Sequence, residues 1–182
     1  MLENLIKTLE NAPVIKKGDY SYLVQGIVIE SENLREMVEL IIEKVDFKKV
    51  DKIVAIQSMG LPIGTALSLE TDLPLIIVKK RQYCLEGERI VHQKTGYDES
   101  IFYINNVFEG DNVVVVDDLI STGNTFTNII NEIDDIGANI IAAINIIEKD
   151  NGRAYFEENT NHELITLIKL EIDNDKVIIK EV

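Results

Sequence analysis

Cysteine is almost missing from this chain. Cys84 is the only one, so no intrachain disulfide can form, and a reducing, cytoplasmic setting is the simple expectation. Proline and glycine are sparse too, three and ten in 182 residues, and no Pro-, Gly- or Ser-rich linker divides the chain. That length buries one substantial core but hardly two, so a single domain over residues 1–182 is expected. Positive charge is short: 18 Lys and Arg stand against 32 Asp and Glu, a formal net charge of −14. A nucleic-acid surface, which needs clustered cations, is thereby excluded. An anionic substrate must then be drawn in locally, by a basic cluster and a divalent cation, because the global field opposes it. There is no signal peptide and no apolar run long enough for a membrane. The G-x-x-x-x-G-K-[ST] phosphate loop of ATPases is also missing, since residues 60–65, Gly-Leu-Pro-Ile-Gly-Thr, lack the lysine.

What the chain does have is concentrated in residues 113–125, Val-Val-Val-Val-Asp-Asp-Leu-Ile-Ser-Thr-Gly-Asn-Thr. The run of valines is too short for a helix and has no polar interruption, which fits a strand buried on both faces of a parallel sheet. Two adjacent carboxylates, Asp117 and Asp118, follow it. Then come Ser121, Thr122, Gly123, Asn124 and Thr125, and a helical run over 126–136. A turn of this kind at a helix N-terminus offers N–H groups, hydroxyls and the positive end of the dipole to a phosphate. Carboxylates just upstream bind vicinal sugar hydroxyls or help hold a divalent cation. The loop therefore suits a phosphorylated sugar. A phospho-acceptor receiver domain also pairs its aspartates after a strand, but after its first strand, whereas these lie past the middle of the chain. A plain helix N-cap leaves the combination of acids and hydroxyls unexplained.

The remaining pattern predicts an α/β sheet. Leu2, Leu5, Ile6 and Leu9 have the spacing of an amphipathic helix. Asn33 with Glu36 reads as a capping box for a second helix that buries Leu34, Met37, Val38, Ile41, Ile42 and Val45. A strand over 52–56, a turn at 58–60, a helix over 61–70 and a strand over 75–78 make a βαβ unit. Lys79, Lys80 and Arg81, the only run of three basic residues, follow that last strand. A strand over 140–147 and a short helix over 152–156 extend the pattern, and 165–170 with 177–179 read as a closing hairpin. Ligands of such sheets bind beyond the carboxyl ends of the strands, where Ser58, Lys79 and Asp117 would emerge. Residues 82–106 carry Gly87, Gly96, mixed charge and weak periodicity, the marks of a lid or long loop.

Residues 113–125 resemble, at every place, the ribose-5-phosphate loop of the type I phosphoribosyltransferases. Residues 53–60, Ile-Val-Ala-Ile-Gln-Ser-Met-Gly, resemble the strand and pyrophosphate loop of that family, and 76–81 the next strand with its basic end. Residues 1–6 and 11–14 and the acidic C-terminal hairpin look like those of its archaeal hypoxanthine/guanine branch. The resemblance implies a type I phosphoribosyltransferase fold, a parallel central sheet flanked by helices. It also implies a small hood from the N-terminal and C-terminal segments and a flexible flap over about 82–106, part of which can form an antiparallel ribbon. The implied reaction moves the 5-phosphoribosyl group from PRPP to hypoxanthine or guanine, giving IMP or GMP and pyrophosphate. The implied cofactor is Mg²⁺, and the implied assembly is a homodimer.

By the same resemblance, Asp117 and Asp118 hold the ribose hydroxyls, stay ionised, and meet the metal mainly through water and PRPP. Ser121, Thr122, Gly123, Asn124 and Thr125 fix the 5-phosphate. The backbone of Ser58, Met59 and Gly60, with Lys80, meets pyrophosphate. Tyr97 matches the flap tyrosine. Apart from the resemblance, the place of Lys149 just past a strand suits either a donor to the purine 6-oxo group or a solvated lysine closing the strand. His92 and Cys84 read as incidental. Two departures matter. Gly96 stands before Tyr97 where the adenine enzymes carry an acid, and Ser121 stands where many 6-oxopurine enzymes carry an aspartate for the N7 proton. Another acid must then serve, or a less demanding proton path. An adenine phosphoribosyltransferase and a non-catalytic PRPP-sensing regulator are the alternatives; regulators usually add a basic DNA-binding segment, which is missing here.

Overall fold

The computed structural model describes residues 2–17, 20–23, 30–95 and 98–182. In chain order, α1 (Glu3–Glu10) is followed by an antiparallel pair, β1 (Val14–Lys17) and β2 (Tyr20–Leu23), and by α2 (Ser31–Lys44). Next come β3 (Lys52–Ile56), α3 (Gly60–Thr71) and β4 (Leu75–Val78), then the ribbon β5 (Arg89–Thr95) and β6 (Asp98–Ile104). The second half holds β7 (Asn112–Ile120), α4 (Asn124–Ile136), β8 (Asn139–Lys149), α5 (Gly152–Asn159), β9 (Leu164–Asp173) and β10 (Lys176–Glu181).

The β-branched runs make the centre of a six-stranded sheet in the order β10-β9-β8-β7-β3-β4. All its pairings are parallel except β10 on β9. Val113 to Val116 are fully buried because both faces of β7 are covered. One face packs Ile53, Ala55, Val114 and Val116 against α2 and α3; the other packs Val54, Ile56, Val113 and Val115 against α4 and the ribbon. The chain leaves β3 toward β4 and returns on the other side as β7, so the strand order reverses between β3 and β7. Open α/β sheets bind their ligands beside such a reversal.

Several expectations need correction. The capping box does not form: α2 begins at Ser31, Asn33 is buried and donates to Thr8 Oγ1, and the Glu36 carboxylate instead accepts from the Asn4 and Leu5 backbone N–H groups. Glu36 thus caps α1 from across the helix pair, a partner that local spacing cannot reveal. The strand predicted over 113–116 runs on through both aspartates to Ile120, so the acids are strand residues and the loop proper starts at Ser121. Within 82–106 the resemblance allowed an antiparallel ribbon, and one is present. Arg89 to Thr95 pairs with Asp98 to Ile104, and Val91, Phe102 and Ile104 are buried in the second core. The C-terminal hairpin forms one edge of the central sheet and turns through Asn174 and Asp175, both at positive φ. That is the backbone of a two-residue hairpin whose twist matches its strands.

Candidate active site

Three neighbouring strands deliver the predicted residues to one cavity of about 390 Å³ beyond their carboxyl ends. Ser58 and Met59 follow β3, Lys80 follows β4, and Asp117 and Asp118 lie in the last part of β7; all of them line it. Ser121, Thr122, Gly123 and Thr125 close one side. Asn124 lies in the same turn without lining the cavity, and Gly60 lies just behind it, at the start of α3. A Cβ at Gly60 would stand 2.9 Å from the Val116 carbonyl and 3.0 Å from Asp117 Oδ1, so only glycine lets the helix start sit against the carboxylate.

The acids are tightly linked. The Asp118 N–H donates to Asp117 Oδ1 at 3.0 Å. Burial pushes the Asp117 carboxyl well above its ordinary value, the Asp118 charge adds to the rise, and the Gly60 backbone N–H opposes it. Burial also raises Asp118, while its hydrogen bond with Asp117 works the other way. On its own the site resists carrying both charges, and the arrival of a cation or a cationic ribose centre relieves that cost.

The phosphate loop is held from below. Gly123 has φ +83°, a left-handed conformation that L side chains rarely adopt. It heads α4 and brings no side chain to cap it, leaving the N–H groups of the first turn to an anion. A Cβ on Gly123 would come 2.7 Å from the Gly152 carbonyl and 3.0 Å from the Tyr155 ring. A Cβ on Gly152 would come 2.8 Å from the Ser121 carbonyl. The turn before α5 thus presses directly on the phosphate loop.

Of the basic run only Lys80 faces the cavity, its backbone N–H held by Gln57 Oε1 at 3.0 Å. Lys79 and Arg81 lie over the Tyr83 ring instead. The Gln57–Ser58 peptide is cis. Lys149 ends β8, is buried, and ion-pairs with Asp150; it is not among the residues that line the cavity. His92 is exposed on the ribbon, as expected, and so is Cys84. Tyr97 and Gly96 lie outside the described residues.

Three lining residues from the ribbon escaped the sequence reading: Gln93, Ser100 and Phe102. Gln93 and Ser100 face each other across the ribbon, and only that pairing makes them a site. Asp150 was missed as well. Its Oδ2 accepts from Ser121 Oγ at 2.8 Å and pairs with Lys149 Nζ.

The model of the phosphoribosyl transferase domain matches residues 29–179. Similar curated proteins include a hypoxanthine/guanine phosphoribosyltransferase of Methanobrevibacter ruminantium, 49% identical over 98% of this chain and 97% of that protein. Another, of Methanotorris igneus, is 43% identical over 96% of this chain and 98% of its own length. Among solved structures, the adenine phosphoribosyltransferase of Thermoanaerobacter pseudethanolicus superposes with a TM-score of 0.78 at 21% identity, covering 93% of this chain and 99% of that one. The enzyme of the same title from Saccharomyces cerevisiae gives 0.77 at 22% identity over 91% and 97%. At such identities the likeness carries the fold alone.

Proposed function

Since the chain belongs to the phosphoribosyltransferase family, we propose that it transfers the 5-phosphoribosyl group of PRPP to hypoxanthine or guanine, yielding IMP or GMP and pyrophosphate. The observation that carries this reading is the single cavity between β3 and β7, which joins paired carboxylates, a glycine-headed helix start and Lys80. Those parts match one substrate: hydroxyls beside acids, a monophosphate on the helix N-terminus, and a pyrophosphate near the cation. The curated relatives support the choice of base.

The reaction joins purine N9 to ribose C1 as pyrophosphate leaves from the opposite face, through a centre with oxocarbenium character. Asp117 and Asp118 sit where that positive charge grows, and their raised pKa values give them most to gain from it. Thr122, Gly123 and Thr125 hold the 5-phosphate and so fix the angle of C1. The ribbon carries Gln93, Ser100 and Phe102 over the cavity and limits water, which would otherwise hydrolyse PRPP.

The donor set fits Mg²⁺. Asp117 and Asp118 offer two adjacent carboxylates, and no group of three or more His, Cys, Asp or Glu able to cage a metal occurs among the described residues. A small hard cation that keeps its waters and takes substrate oxygens suits such a site. When bound it neutralises the diphosphate. We take the protein as a one-domain cytoplasmic homodimer; no described helix is long and apolar enough to cross a membrane.

Incubation with PRPP, Mg²⁺ and each purine base, with products separated by chromatography, tests the reading. IMP from hypoxanthine and GMP from guanine are expected. AMP alone would replace it with the adenine reading, and PRPP binding without any nucleotide product would favour a sensor.

A further inference from the structure

We propose that Asp150, acting through the Ser121 hydroxyl, takes up the ring N–H proton that the purine must lose when it becomes a nucleotide. The proposal rests on the purine reading above and assigns its proton path. A neutral purine that bonds through N9 has one imidazole N–H too many, so an acceptor must meet the base near the ribose. Ser121 lines the cavity between the paired acids and the phosphate loop. A carboxylate only accepts, so the single hydroxyl proton of Ser121 points at Asp150 Oδ2, 2.8 Å away. To any other partner the oxygen therefore presents lone pairs. It is an acceptor wired to an acid.

The wiring is built in. Asp150 sits at φ +55°, an uncommon conformation for a residue with a side chain, in the turn between β8 and α5. That turn is pressed on the phosphate loop by the close approaches of Gly152 to Ser121 and of Gly123 to Gly152. Buried Lys149 pairs with the same Oδ2. The one other cation in the following helix, Arg153, is turned to Glu148 and Glu157. Asp150 is itself 49% exposed, so a proton it receives passes on to solvent.

The rival acceptors are engaged elsewhere. Asp117 and Asp118 face the ribose charge, Glu148 is held by Arg153, Lys169 and Thr166, and His92 lies outside the cavity lining. In the step itself the N9 lone pair forms the bond to C1 while the C1–O pair leaves with pyrophosphate. The ring N–H proton moves to Ser121 Oγ, leaving its electron pair in the ring, and the original Ser121 proton moves to Asp150 Oδ2. Charge and atoms balance without any further reactant.

The test compares wild type with Asp150→Asn and Ser121→Ala, using hypoxanthine and the more acidic 6-mercaptopurine, across pH. General-base removal is expected to lower kcat with hypoxanthine about a hundredfold in both variants, with PRPP affinity by calorimetry unchanged in Asp150→Asn, whose side chain is not part of the cavity lining. The deficit should shrink severalfold on the thiopurine and fade as pH rises toward ionisation of the base itself. A deficit equal for both bases at every pH would mark a merely structural contact and overturn the proposal. Full activity of both variants would overturn it too. A wild type that converts no hypoxanthine would instead remove the purine reading beneath it.

Discussion

Asp117 is a carboxylate that the fold holds at a loss, and its cost and its use have one cause. Its folded pKa lies above the ordinary value of 3.8 because burial and the Asp118 charge both disfavour ionisation. The folded state therefore binds the proton more tightly than the unfolded chain. Stability from this group is complete below the ordinary pKa and is lost as pH rises through the raised one. Asp117→Asn keeps an oxygen for the Asp118 N–H and removes the charge. Its Tm should exceed that of wild type by a few degrees at neutral pH, with the gap closing near pH 4, while turnover collapses. Scanning calorimetry at several pH values checks this, and a variant less stable than wild type at neutral pH would contradict it. For Asp118→Asn the expected loss is in kcat/KM, roughly two to four orders of magnitude or ~3–5 kcal/mol of transition-state stabilisation. A fully active variant would remove the clamp. Both acids were legible in the sequence as a motif, since adjacency needs no fold. Their altered acidity was not, because it comes first from burial, which only the assembled fold produces.

Among the elements, β7 and the loop after it show where sequence reading succeeds and where it stops. The four valines place the strand, and the glycine places the helix start, because each is a local demand of backbone geometry. The reason for Gly123 is only half local. Its φ of +83° is a backbone matter, but the Cβ it lacks would strike Gly152 and Tyr155, which come from another part of the chain. Gly123→Val should therefore abolish PRPP binding in calorimetry by displacing the loop. Gly152→Ala, with ordinary φ and a Cβ 2.8 Å from the Ser121 carbonyl, should weaken that binding from outside the loop. Unchanged PRPP affinity in both would detach the turn from the site. The ribbon was legible through the family resemblance and not through periodicity: its strands pair with each other and bury Val91 and Phe102, while their polar neighbours blur the alternation. Its root is pinned by Glu88, which accepts from Tyr83 N, Cys84 N and Asn105 Nδ2. Glu88→Ala leaves these donors without that acceptor, and hydrogen exchange at the root amides should quicken by about tenfold, the scale of one net hydrogen bond.

At the scale of the whole molecule, a protein of charge −14 gathers a site for a highly anionic substrate at one end of its sheet. Composition announced the difficulty; the strand reversal between β3 and β7 supplies the answer, by bringing Lys80, a helix start and the acids that welcome a cation to one cavity. The fold class was readable because a parallel sheet writes itself as repeated apolar runs. Base choice was legible only through the resemblance of the chain's ends to the archaeal hypoxanthine/guanine branch; the Ser121–Asp150 contact was not, since it forms only when β7 and β8 lie side by side. The account stands most directly on a competition assay with hypoxanthine, guanine and adenine at one PRPP and Mg²⁺ concentration. Hypoxanthine and guanine should each be converted at least about tenfold more efficiently than adenine, a difference of ~1.4 kcal/mol that one well-placed hydrogen bond supplies. Adenine as the preferred substrate would contradict the account.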